Sequence, residues 1–204
     1  MFCRPSGALG AASFRKMDQF VMSMFRFAQP GYPEEDVKPM REELEVVGAT
    51  SLRTPEQVVA ALKDSKGTAL LIVNSVCGCA AGGARPGVSA ALQNKLIPDA
   101  IYTVFAGVDR EATQQARALI TNFAPSSPSV ALFKDGQVVY MLERHMIEGR
   151  TPDQIADDLA TAFDKYCAAE GPSIPTEQFE KLQFVQVCGS QLAAKARARA
   201  AHSH

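Results

Sequence analysis

The chain has 204 residues, of which 47% are hydrophobic and 21% charged, the balance of a soluble globular protein with a core of ordinary size. Its net charge of −1 excludes an overall field that would recruit nucleic acid or an anionic membrane surface, so neither is expected as a partner. Apolar runs such as residues 69–73 are too short to span a bilayer, and the five cysteines (Cys3, Cys77, Cys79, Cys167 and Cys188) are odd in number and mostly scattered, unlike a secreted disulfide framework. The expected location is cytoplasmic.

From the N-terminus, Arg4, Arg15 and Lys16 stand without an acid among the first 17 residues, but the apolar block of a secretory signal is missing. Residues 1–29 are therefore expected to be a disordered or loosely packed extension. Gln29-Pro30-Gly31-Tyr32-Pro33 is a loop signal at the entry to the folded part. Val37, Met40, Leu44 and Val47 then recur at helical spacing behind the acids Glu34, Glu35 and Asp36, with Pro39 marking either the start or a kink. Thr54-Pro55-Glu56-Gln57 has an N-cap, a proline at the first helical position and a capping-box partner, so a second helix starts there.

Residues 68–73, Thr-Ala-Leu-Leu-Ile-Val, are a continuous apolar run of the kind buried on both faces in a parallel sheet. A helix over about residues 79–95 follows, with Pro86 expected to kink it, then a strand over residues 100–105. The next helix covers residues 110–122 with Asp109 as its cap. Residues 129–133 and 137–142 flank Asp135-Gly136 as a β-hairpin, and Thr151-Pro152-Asp153-Gln154 opens a helix with Ile155, Leu159, Phe163 and Tyr166 on its apolar face.

The order β–α–β–α–β–β–α predicts an α/β fold, a thioredoxin-like three-layer sandwich. Its mixed sheet would hold a parallel β-α-β unit and a C-terminal hairpin plus helix. The domain is expected over residues 30–167. Residues 168–204, ending in a basic Ala/Arg-rich stretch with Lys195, Arg197 and Arg199, form a second extension. Both extensions are expected to be dispensable for the chemistry.

Cys77-Gly78-Cys79 lies where the buried strand ends and a helix begins, the place where reactive groups gather in open α/β sheets. Free N–H groups and the helix dipole favour a thiolate there, and no Asp or Glu occurs between Lys66 and Pro98 to oppose it. Gly78 permits the backbone angles of a one-residue disulfide loop, whose strain would make it easy to reduce. The thiol at the free end of the motif is expected to be exposed and to attack; the one in the first helical turn is expected to be shielded and to resolve.

Redox exchange is one reading of this pair. Metal binding or delivery through the same two thiolates is another, although no second Cys/His pair stands at ligand spacing, so no metal site is assigned. Buried structural thiols are a third. Ser127-Pro128, just before the hairpin, can form a cis bond that presents backbone groups to an extended substrate. Arg85 is expected to be solvated or structural, and His145 structural.

The block Val73-Asn74-Ser75-Val76-Cys77-Gly78-Cys79-Ala80-Ala81-Gly82, with Ala84-Arg85-Pro86, resembles the bacilliredoxin family of thioredoxin-like proteins. Ser126-Ser127-Pro128-Ser129, Glu143-Arg144-His145 and Ile147-Glu148-Gly149-Arg150 extend the resemblance over roughly residues 32–167. The resemblance implies removal of bacillithiol from S-thiolated client proteins, or weak disulfide isomerase activity. Cys77 would attack, Cys79 would resolve, and Pro128 would be the cis-proline, with Gly78, Ser127 and Pro128 meeting the substrate. It implies no tightly bound cofactor, with bacillithiol as co-substrate. The segments around Cys3 and Cys188 lie outside the resemblance.

Overall fold

The structure, a computed structural model, describes residues 31–185. The expected N-terminal extension, the basic C-terminal end, Cys3 and Cys188 lie outside these residues. In chain order the elements are α1 (Glu34–Glu45), β1 (Thr50–Ser51), α2 (Pro55–Val58, continued by a π-helical turn, Val59–Lys63) and β2 (Thr68–Asn74), then α3 (Arg85–Ala91, preceded by a second π-helical turn), β3 (Leu96–Ile97) and β4 (Ala100–Phe105). They continue as α4 (Arg110–Leu119), β5 (Ser129–Lys134), β6 (Gln137–Leu142), α5 (Arg144–Ile147), α6 (Pro152–Tyr166), β7 (Ala169–Glu170) and α7 (Thr176–Phe179).

Five strands form one sheet in the order β1-β4-β2-β5-β6. β1, β4 and β2 run parallel, β5 is antiparallel to β2, and β6 is antiparallel to β5. Every residue of β2 is buried. Its side chains alternate between two cores, as the two-residue period of a strand requires. Leu70 and Ile72 meet Leu44 of α1, Val88 of α3 and Ile155, Leu159 and Phe163 of α6 on one face. Ala69, Leu71 and Val73 meet Val58 and Leu62 beside α2 and Ala112 and Ala116 of α4 on the other. Helices therefore cover both faces of a mixed sheet, and the fold is α/β and thioredoxin-like. Among the described residues no helix is long and apolar enough to cross a membrane.

Both capping boxes form. Thr54 Oγ1 accepts from the Gln57 N–H and Thr151 Oγ1 from the Gln154 N–H, each glutamine reaching back to the cap. The hairpin turn has Asp135 at φ 48° and Gly136 at φ 76°, the left-handed pair that matches strand twist. Pro39 lies inside α1.

Three local expectations are corrected. Asp109 occupies the N-cap of α4 but makes no capping bond. Its carboxylate instead accepts from Arg41 Nη1 (2.7 Å) and Nη2 (2.8 Å) and from the Phe105 N–H (3.0 Å). Arg41 is itself buried, stacked 5.1 Å from the Phe105 ring centroid, and its unscreened charge takes the carboxylate. The helix after the cysteines is not one kinked rod: a π-helical turn, Ala80–Ala84, precedes α3. Pro86 has no N–H to close an ordinary turn onto Gly82, and the wider register falls just before it. The two helices also end earlier than expected, at Ala91 and Leu119.

Gly87 sets the approach of α3 to α6: a Cβ there would lie 2.7 Å from Ile155 Cγ2. Beyond α6 the chain returns across the domain. β7 pairs antiparallel with β3, the Gly171 N–H donates to Lys95 O (2.9 Å), and the Ser173 N–H donates to Leu92 O (2.9 Å). Ile174 and Leu182 pack against the first core.

Candidate active site

β2 ends at Asn74, and the turn Ser75-Val76 delivers Cys77 to the sheet end from which the helical run departs. The Cys77 carbonyl accepts from the N–H groups of Ala80 and Ala81, both at 3.1 Å, so Cys77 sits at the mouth of the first turn and Cys79 inside it. Gly78 between them is exposed, with open space where a side chain would stand. Both cysteines are half-buried, so residue exposure does not separate attacker from resolver as the sequence suggested.

Their contacts do separate them. Cys77 Sγ lies 3.1 Å from Ser75 Oγ. A thiolate can only accept a hydrogen bond, so in that state the serine hydroxyl is the donor. The Cys79 thiol points at Glu148, donating to Oε1 at 3.6 Å, with Arg144 Nη2 at 4.0 Å from its sulfur. Burial pushes the Cys79 thiol up; the charge of an ionised Cys77 and the Glu148 carboxylate add to this, and Arg144 pulls the other way. Arg144 is held more firmly protonated by the negative charges that Cys77, Cys79 and Glu148 can carry.

Arg144 also joins the thiols to the proline loop. The Ser127–Pro128 bond is cis, with Pro128 buried and Ser127 half-buried. Arg144 Nη1 donates to Ser127 O (3.3 Å), and the Arg144 N–H donates to Ser126 Oγ (3.4 Å). Cys79 and the Ser127–Pro128 loop thus meet at one guanidinium, which also feels the charge that Cys77 can carry.

Sequence reasoning missed Arg144 and Glu148 as site residues. The absence of acids between Lys66 and Pro98 describes only the local chain, and Glu148 arrives from the end of α5, where it is the C-cap. The signal lies in Glu143-Arg144-His145 and Ile147-Glu148-Gly149-Arg150, while His145, between Arg144 and Glu148, is exposed on α5.

Arg85 is wholly buried, on the structural side of its two expected roles. Its Nε donates to Glu43 Oε2 (2.5 Å) and its Nη1 to Ser75 O (3.1 Å), two residues before Cys77. Burial pushes the Glu43 carboxyl up, against the pull of Arg85 and of the Val185 N–H. Cys167, at the end of α6, is buried, which pushes its thiol up, and it lies outside this cluster. Among the described residues no three His, Cys, Asp or Glu side chains are gathered to hold a metal ion.

Residues 32–167 match the profile of a family described as Disulphide isomerase. A bacilliredoxin of Cytophaga hutchinsonii is 51% identical over 134 residues, covering 66% of this chain and 98% of that protein. Another, of Salinibacter ruber, is 52% identical over 143 residues, covering 69% and 84%. Among solved structures, a thioredoxin of Malassezia sympodialis overlaps 59% of this chain and 92% of its own, with a TM-score of 0.40 and 15% identity. The fold assignment rests on strand order and direction.

Proposed function

Because the chain belongs to the bacilliredoxin family, whose chemistry is thiol–disulfide redox exchange, we propose that it strips a low-molecular-weight thiol from S-thiolated client proteins. The observation that carries this reading is the unequal pair: Cys77 beside the Ser75 hydroxyl, which can donate to a thiolate, and Cys79 donating its thiol to Glu148. In the first step the Cys77 thiolate attacks the small thiol's sulfur in the mixed disulfide. A new S–S bond forms on Cys77 and the client leaves as a thiolate, which takes up a proton. In the second step Cys79 loses its proton and attacks Cys77 Sγ; the Cys77–Cys79 disulfide forms and the small thiol leaves. Two further equivalents of low-molecular-weight thiol reduce that disulfide and end as a disulfide themselves.

Bacillithiol is the proposed thiol, the cytoplasm the proposed setting, and Gly78, Ser127 and Pro128 the proposed contacts to substrate. Isomerisation of protein disulfides is a second reading, favoured by the description of the matching family. It needs only that a client sulfur, in place of a small thiol, be held on Cys77.

The reading is tested by mixing the reduced protein with one client carrying either a bacillithiol or a glutathione adduct and following the client's mass. Faster loss of bacillithiol is expected. No loss from either adduct, together with stoichiometric metal that vanishes when either cysteine is mutated, would replace exchange by metal binding.

The second step has its own pH dependence. With the Cys79 thiol pushed up, little thiolate exists at neutral pH. Ring closure should therefore quicken as pH rises and level off only above the ordinary thiol range. Glu148→Gln removes a charge that raises Cys79, so closure at neutral pH should speed up about twofold to fivefold, as befits an exposed charge. Stopped-flow release of the small thiol from preloaded Cys77 measures this; a slower variant would mean that Glu148 acts as a base.

A further inference from the structure

We propose that residues 168–185, beyond the stretch that the family profile matches, form a strap whose residue Val185 completes the support of the attacking thiol. The proposal rests on the reading of Cys77 as attacker.

The support can be followed backwards from the sulfur. Ser75 Oγ lies 3.1 Å from Cys77 Sγ and is the donor when Cys77 is a thiolate, so the placement of Ser75 sets that hydrogen bond. Ser75 is fixed on both sides: its N–H donates to Asn74 Oδ1 (2.8 Å), and its carbonyl accepts from Arg85 Nη1 (3.1 Å). Asn74 is tied in turn to Met40 O through Nδ2 (3.2 Å).

Arg85 holds Ser75 only while its own charge is balanced, because it has no exposure to water. Glu43 balances it, and Glu43 is 6% exposed. Each member of the pair then has one group left over, and both reach the same residue. Arg85 Nη2 donates to the Val185 carbonyl (3.1 Å), and the Val185 N–H donates to Glu43 Oε1 (2.5 Å). One peptide residue thus serves both buried charges at once, with bonds of the strong, charge-assisted kind. The family profile ends at residue 167, so this residue is supplied by the extension. β7, Gly171 and Ser173 anchor the extension to β3 and the end of α3, which brings Val185 back to the pair.

In the full chain, Val185→Pro deletes the N–H, whereas Val185→Ala keeps both backbone groups. Site-resolved alkylation of Cys77 from mildly acidic to mildly alkaline pH is the readout, beside a melting curve. Val185→Pro should lower the labelling rate at neutral pH by up to roughly tenfold, the ceiling set by one lost charge-assisted hydrogen bond, while the melting curve shows the protein still folded. Val185→Ala should label as the unaltered chain does. Glu43→Gln, which keeps the side chain's shape, should move the profile in the same direction as Val185→Pro. An unchanged profile in both Val185→Pro and Glu43→Gln overturns the proposal. So does a loss uniform across pH that follows the unfolded fraction, since that marks a purely structural strap. Alkylation reads Cys77 directly, so failure of the unaltered protein on thiolated clients would count against the proposed function alone.

Discussion

Replacing Cys77 by serine should abolish exchange, by on the order of a thousandfold or more, whereas Cys79→Ser should complete one transfer and stop. A hydroxyl is a far poorer nucleophile than a thiolate, and the remaining thiol of the motif is a weak substitute. Cys79 is pushed up by burial and by Glu148, so at neutral pH it carries little of the reactive form. It also lies inside the helical turn that Cys77 opens. In Cys79→Ser the first attack is untouched, but no second thiol displaces the adduct, so a mixed disulfide accumulates on Cys77. Mass spectrometry of both variants after incubation with a thiolated client decides the matter. An adduct on Cys79 in the Cys77→Ser protein, with none on Cys77 in the other, would reverse the two roles.

The largest expected effect on stability is that of Arg85→Met. The substitution roughly keeps volume but removes four hydrogen bonds, to Glu43, Asn74, Ser75 and Val185. Glu43 is then left buried with a single donor, the Val185 N–H. Breaking a buried ion pair on one side costs about 3–5 kcal/mol. Set against a typical total of about 5–15 kcal/mol, that is a large part of the folding stability. Denaturant titration should show a much lower midpoint at an unchanged slope. Replacing both partners, Arg85→Met with Glu43→Leu, should restore most of the loss, because no charge is then stranded. The double variant should still leave the Ser75 carbonyl unheld, so Cys77 should not regain its labelling rate with the stability. Equal losses in the single and double variants would show that packing, not charge, dominates at this position.

Arg85 also shows what the sequence could and could not reveal. A lone arginine in a helix reads as solvated or structural, and only the chain's path makes it the second: its partners come from residues 43, 74, 75 and 185. Features that depend on a few neighbouring residues were legible, which is why the capping boxes at Thr54 and Thr151, the Asp135-Gly136 turn and the buried run of β2 stand where expected. β1 and β3 were not legible, since two residues carry no periodicity and are strands only through their pairing. The π-helical turn before α3 escaped because Pro86 signals that a helix must adjust without saying how. In the site, the cysteines announced themselves by type and spacing, whereas Glu148 is 69 residues from Cys79 and required the fold to bring it there.

The short β1 and the unusual use of Asp109 together have a consequence for behaviour at high concentration. β4 would otherwise present a row of free amide and carbonyl groups along the outer margin of the sheet, a template for stacking with another molecule. β1 pairs only at Tyr102 and Thr103. The Leu52 N–H occupies the Thr103 carbonyl, and the Asp109 carboxylate, itself pinned by Arg41, occupies the Phe105 N–H. A neighbouring chain finds little to pair with on this margin, so the protein is guarded there against edge-to-edge self-association.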